Sequence, residues 1–143
     1  MKGENMDPID ELNENLVEFF DRMSSWEQSV IQQGKLNVAG AHAIEKLGQF
    51  GSMSMKDLSK ALGVTTGTTT ITVDRLEKGG YAVRERADND RRSYIIRLTE
   101  KGNDAYLDHH RHHLSFAKEI AALLTDEEIE CFTAVLEKIN KEI

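Results

Sequence analysis

Ile9, Leu12, Leu16, Phe19, Phe20, Met23, Trp26 and Val30 recur at the three-and-four spacing of one helical face, with Pro8 suited to a first turn and Gly34 to an end. The pattern predicts a long N-terminal helix. A second apolar stripe, Ala41, Ile44 and Leu47, predicts a helix from about Val38 to Gly48, broken by the glycine-rich segment that follows. Ser54 with Asp57 three residues on has the form of a capping box, ahead of Leu58, Ala61 and Leu62. Thr65 can cap the next helix, which ends at Gly79-Gly80.

The period then shortens to two. Tyr81 to Arg86 and Ser93 to Leu98 alternate and are rich in β-branched or aromatic residues, and Asp88-Asn89-Asp90 between them favours a turn, so a β-hairpin is expected. Thr99 caps a long helix reaching about Leu124, and a capping box from Thr125 to Glu128 opens a last one. That helix carries Ile129, Phe132, Leu136, Ile139 and Ile143 in the spacing of a coiled-coil seam. The expected fold is mostly α with a small β-wing: residues 1–143 form one unit, in which a winged helix-turn-helix module (35–102) is flanked by dimerisation helices (1–34 and 103–143). The stripes around Ile9, Leu12 and Leu16 and around Phe132, Leu136 and Ile139 are too extensive for so small a module to cover. Dimerisation would bury them.

Composition narrows the classes without naming one. A chain of 143 residues suits one domain with its own core. No apolar run approaches the ~20 residues of a membrane span, and the polar start is unlike a signal peptide, so a soluble, cytoplasmic protein with no membrane partner is expected. The single Cys131 excludes an internal disulfide and is expected to be a buried thiol. A net charge of −7 opposes phosphate binding by the chain as a whole. Its distribution does not: Ser54 to Gly102 holds ten Lys or Arg against seven Asp or Glu, and the acidic excess lies on the flanks.

That basic segment has the chemistry of a duplex reader. On the helix after Thr65, Thr69, Val73 and Leu76 are expected to face inward, leaving Thr65, Thr66, Gly67, Thr68, Thr70, Ile71 and Arg75 toward double-stranded DNA. Threonine offers a hydroxyl and a methyl, and Gly67 permits close backbone approach. In the hairpin, Arg84, Arg86 and Arg97 lie on the arms, and Arg84 and Arg86 are expected to contact DNA. Arg92 at the tip suits insertion into a narrow minor groove, with Asp90 orienting it and Arg91 on phosphate. An ordinary polar helix and a solvated charged loop are the bland alternatives.

Leu62-Gly-Val-Thr, Asp74-Arg-Leu-Glu-Lys-Gly-Gly, Asp88-Asn-Asp-Arg-Arg and Leu98-Thr-Glu-Lys-Gly together resemble the MarR family of bacterial transcription regulators. The resemblance covers nearly the whole chain. It implies a homodimeric repressor on a pseudo-palindromic operator, the second motif helix in the major groove, the Arg92 wing in the minor groove, and a small-molecule effector in a cleft beside the dimerisation helices. Within the family, Val64-Thr-Thr-Gly-Thr-Thr-Thr and His42-Ala-Ile-Glu-Lys-Leu-Gly are most similar to fatty-acid-biosynthesis repressors, which implies an acyl-type effector. Gly67 and Ile71 depart from the family pattern, where alanine and a polar residue are usual, so no operator sequence carries over.

The five histidines are His42 and, on the long fifth helix, His109, His110, His112 and His113. His109 and His113 are i, i+4 neighbours and can share one metal; His42 on a facing helix would make a third ligand and Glu27 a fourth. This set resembles the zinc-responsive regulators of the same family and implies zinc as an alternative effector. A solvated histidine stripe and a pH response are the competing readings. Two further classes compete: a zinc hydrolase, for which no nucleophile or His-Glu-x-x-His is present, and a protein-interaction dimer without DNA binding.

Overall fold

The computed structural model describes residues 6–32, 34–87 and 93–143. Among them the elements run α1 (Pro8–Ile31), α2 (Val38–Phe50), β1 (Met53–Ser54), α3 (Met55–Leu62), α4 (Thr66–Lys78), β2 (Ala82–Arg86), β3 (Tyr94–Leu98), α5 (Glu100–Ala121) and α6 (Asp126–Glu142). The expected class, mostly helical with a small β-wing, is the observed one.

Caps set most boundaries. The Asp7 carboxylate accepts from Ile9 N at 3.0 Å and Pro8 opens α1, as its fixed φ allows. The helix stops at Ile31, a turn before the expected Gly34, whose N–H instead donates to the Ile31 carbonyl at 2.9 Å. The break expected at Gly48 also falls elsewhere, for α2 continues to Phe50 and ends at Gly51, whose φ of 82° is left-handed. Gly48 serves packing instead: a Cβ there would overlap the Tyr106 ring of α5. α5 ends at Ala121 rather than Leu124.

In the helix-turn-helix, Ser54 caps α3 by accepting from Asp57 N at 3.1 Å, and Thr65 caps α4 by accepting from Thr68 N at 3.2 Å. α4 ends in a Schellman turn, with Tyr81 N donating to Leu76 O at 2.8 Å and Gly80 N to Glu77 O at 3.0 Å. The sheet is antiparallel in the order β1-β3-β2, with Met53 opposite Ile96 and Ala82 opposite Leu98. β1 was not anticipated, because two residues carry no readable alternation. It ties the hairpin to the start of α3.

One core joins Ala43, Ile44 and Leu47 of α2 to Leu58 of α3, Val73 and Leu76 of α4, and Ala82, Ile96 and Leu98 of the sheet. Each large aliphatic side chain buried there contributes about 1.5–3 kcal/mol. The terminal helices add little to it. α1 buries Ile31 alone and α6 buries no residue, leaving Ile9, Leu12, Leu16, Phe20, Phe132, Leu136 and Ile139 exposed. Cys131, expected inside, is exposed because its helix has no covered face. The chain exposes 11135 Å², against about 7,500 Å² for a compact monomer of its size. No helix among the described residues is long and apolar enough to cross a membrane.

Candidate functional site

Two places on the molecule bring chemistry-bearing residues together: the outer face of α4 with the hairpin beside it, and the junction of α1, α2 and α5.

On α4, Thr66, Gly67, Thr68, Thr70, Ile71 and Arg75 are exposed, and so is the capping Thr65. Thr69, Val73 and Leu76 are buried as expected, and Thr72 joins them. Thr72 tolerates burial because its hydroxyl donates to the Thr68 carbonyl at 3.3 Å, which meets its polar requirement within the helix. Thr69 donates to Thr65 O at 3.0 Å and accepts from Ser59 of α3 at 2.8 Å. This buried hydroxyl pair fixes how α4 sits on α3. Ser59 was missed by the sequence reading, although it shares the stripe of Met55 and Leu62.

The hairpin is fastened to α4 by Arg84. Its guanidinium meets Asp74 at 2.5 Å and Glu77 at 3.0 Å, both carboxylates on α4. Arg84, expected to contact DNA, is here opposed by two carboxylates, and the side chain braces strand to helix. Arg97 is likewise paired, holding Glu85 across the two strands at 2.6 and 3.0 Å. That bond and the arginine's charge hold the Glu85 carboxyl below the usual carboxylate range. Arg86 is exposed, with its guanidinium carbon 6.0 Å from the Tyr94 ring centre. Asp90, Arg91 and Arg92, assigned to the grooves, lie outside the described residues.

At the junction, α5 turns His109 and His113 toward α1, their Nε2 atoms 3.0 Å apart. Donor atoms of Glu27, His109 and His113 all lie within 4.8 Å of one another. His42 of α2 is bonded to the Glu27 carboxylate, so the four residues read from the sequence meet across three helices. Glu45 of α2 is also here: its Oε2 lies 3.8 Å from His109 Nε2 and is buried without a hydrogen-bond partner. Trp26 packs edge-on against His113, ring centres 5.1 Å apart, and stacks on Phe116. Burial lowers the pKa of His109; the nearby His113 lowers it further, while Glu45 and Glu27 pull the other way. His110 and His112 stand apart, His110 stacked on Tyr106 and His112 beside Asp108.

His109 has a second neighbourhood. A cavity of about 340 Å³ opens beside it, its wall mostly apolar, from Val30, Ile31, Leu36 and Ile44 among others, with Lys35, Asp108 and His112 as further polar residues. It is at the small end of the range for small-molecule sites.

The MarR family model matches residues 36–94, from the start of α2 into β3. The fold beyond that segment agrees. FabT of Streptococcus pneumoniae, solved in complex with DNA, superposes with a TM-score of 0.84 at 28% identity, covering 92% of this chain and 94% of that one. The chain is thus similar to the MarR family, in sequence over residues 36–94 and in fold over nearly its whole length. A MarR family protein from Bacillus stearothermophilus shares the fold at TM-score 0.82 and 24% identity, over 98% of both chains. The HTH-type transcriptional regulator YcgE of Bacillus subtilis is 34% identical over 90 residues, which are 60% of this chain and 58% of YcgE. The chain thus spans less than two thirds of the length of the first curated relatives it matches.

Proposed function

We propose that this chain is a homodimeric, DNA-binding transcriptional repressor of the MarR family, with α4 in the major groove of a pseudo-palindromic operator and the hairpin in the adjacent minor groove. The observation that carries it is the uncovered face of α4, eight exposed residues from Thr65 to Arg75, braced to the hairpin by Arg84. FabT, a relative of the same fold, was solved on DNA. The bare faces of α1 and α6 and the excess accessible area favour a second copy as partner. The half-sites should lie one helical turn apart, about 34–36 Å. Selection from random duplexes, followed by anisotropy titration and sedimentation, tests the proposal: a stable monomer, or no preferred duplex at low salt, overturns it. Arg92→Ala should weaken binding strongly.

The effector reading favoured by geometry is a divalent cation, zinc by donor type. Three imidazoles and a carboxylate suit that ion, and the unpartnered Glu45 oxygen adds negative charge to the same place. Glu27, His42, His109 and His113 would hold it, and a bound cation would supply one electrostatic tie among α1, α2 and α5. Native mass spectrometry and DNA titration with and without zinc test this. One zinc per subunit, lost in His113→Ala, supports it; no retained metal overturns it.

A second reading, an acyl-type effector, rests on the apolar cavity and the polar Lys35 and His112 on its wall. A co-purifying acyl chain would favour it. Because His109 borders both places, occupation of either should be felt at the other.

A further inference from the structure

We infer that α4 selects its operator through the C5-methyl groups of thymine, read by Thr70 and Ile71, and not by hydrogen bonds donated to guanine. The inference rests on the DNA-binding reading above and specifies how that site chooses sequence.

The argument begins with what α4 lacks. Base edges in the major groove are read by the N-terminal part of a recognition helix, and the strong donors are arginine or lysine to guanine and asparagine or glutamine to adenine. From Thr65 to Asp74 this chain has none of the four. Arg75 is the first cation on the helix, nearly three turns in.

Of the hydroxyls on this face, those of Thr65 and Thr70 already donate within the chain. The Thr70 hydroxyl donates to the Thr66 carbonyl at 2.8 Å, leaving toward solvent an acceptor lone pair and a methyl group. The Thr65 hydroxyl donates to the Thr68 hydroxyl oxygen at 3.1 Å. Ile71, next to Thr70, is 57% exposed although the core lies one helical face away. An aliphatic side chain this bare, at the centre of a face that otherwise carries small residues, has no packing role within the chain. Gly67 completes the surface: a Cβ there would meet only the Thr65 hydroxyl, at 3.9 Å, so nothing inside the molecule requires a glycine. Its absence of side chain lets the helix approach close enough for methyl groups to touch. A surface dominated by methyls matches the thymine methyl, and beyond single hydroxyls such as those of Thr66 and Thr68 it offers no cationic or bidentate donor to guanine O6 and N7.

The test uses the full-length protein and a duplex it selects from a random library. Thymines in the selected half-site are replaced singly by deoxyuridine, which keeps base pairing and deletes one methyl, and affinity is read by anisotropy at fixed salt. Burial of one methyl predicts a roughly four-fold loss at each thymine that is read. In Thr70→Ser, which keeps the hydroxyl, one of those thymines should become indifferent to the replacement; in Ile71→Ala another should, with the salt slope unchanged in both. A fully deoxyuridine-substituted half-site that binds as tightly as the thymine duplex overturns the inference while DNA binding stands. If no duplex is selected, the DNA reading itself fails, and this inference with it.

Discussion

Gly102, in the first turn of α5, lies directly against the backbone carbonyl of Tyr81, the residue that leads from α4 into β2. The same carbonyl accepts from Thr99 N at 3.0 Å, and the Thr99 hydroxyl donates to Gly80 O at 2.6 Å. The two glycine-bearing motifs, Glu77-Lys-Gly-Gly-Tyr and Leu98-Thr-Glu-Lys-Gly, are therefore two sides of one contact where the hairpin's ends meet α5.

Gly102→Ala should be among the most damaging small substitutions in the chain. The added methyl overlaps a backbone atom, which cannot rotate away, and its next neighbour is Leu98 Cδ2 at 3.0 Å. Overpacking of this kind costs about 1–3 kcal/mol, and the backbone clash puts it at the upper end. Urea unfolding of the variant should show a lowered midpoint; an unchanged midpoint would mean that α5 is not seated on Tyr81.

The opposite outcome is expected at Gly67. Its position on α4 is helical and open, so Gly67→Ala should raise stability by up to about 1 kcal/mol from helix propensity alone. The same methyl stands on the face proposed to meet DNA. Thermal midpoint and duplex affinity should therefore move in opposite directions, and a parallel change would argue that Gly67 does not approach the groove.

Arg84→Ala should cost less than about 1 kcal/mol in stability, as expected for a partly exposed ion-pair brace. Its effect on duplex affinity should be larger than that, because the hairpin would no longer be held against Asp74 and Glu77. Hydrogen exchange of β2 amides in the variant reads the loosening directly; unaltered exchange would remove Arg84 from this role.

The Glu85–Arg97 pair carries a pH dependence with a definite sign. Glu85 has its pKa lowered in the folded chain, chiefly by the hydrogen bond from Arg97, so its contribution is present above its ordinary value of 4.5 and fades as pH falls through the lower folded value. Comparing urea midpoints of the parent chain and Glu85→Gln, the difference seen at neutrality should vanish in acid. A difference that persisted there would assign it to something other than the ion pair.

Much of this was legible in the sequence because the signals were local. Thr65, Ser54, Thr99 and Thr125 are caps, and each side chain accepts from a backbone N–H three residues on, a relation fixed by spacing alone. Gly48 and Ser59 were opaque for the converse reason. Their roles depend on Tyr106 and Thr69, partners reached only through the tertiary fold. Arg84 illustrates the same limit in the candidate site: an arginine on a hairpin arm looks available to phosphate until two carboxylates of another element close on it. At the junction, the i, i+4 spacing revealed the His109 and His113 pair, whereas Glu45 could be placed beside them only once α2 had packed on α5.

β1 is only two residues long, yet through it the hairpin is bonded on one edge to the chain entering α3, while Arg84 clamps its other strand to α4. α4 and the described strands of the hairpin are therefore tied into one body. In the proposed dimer, a signal from the far end of the molecule would swing that body as a whole, changing the distance between the two copies rather than the shape of either.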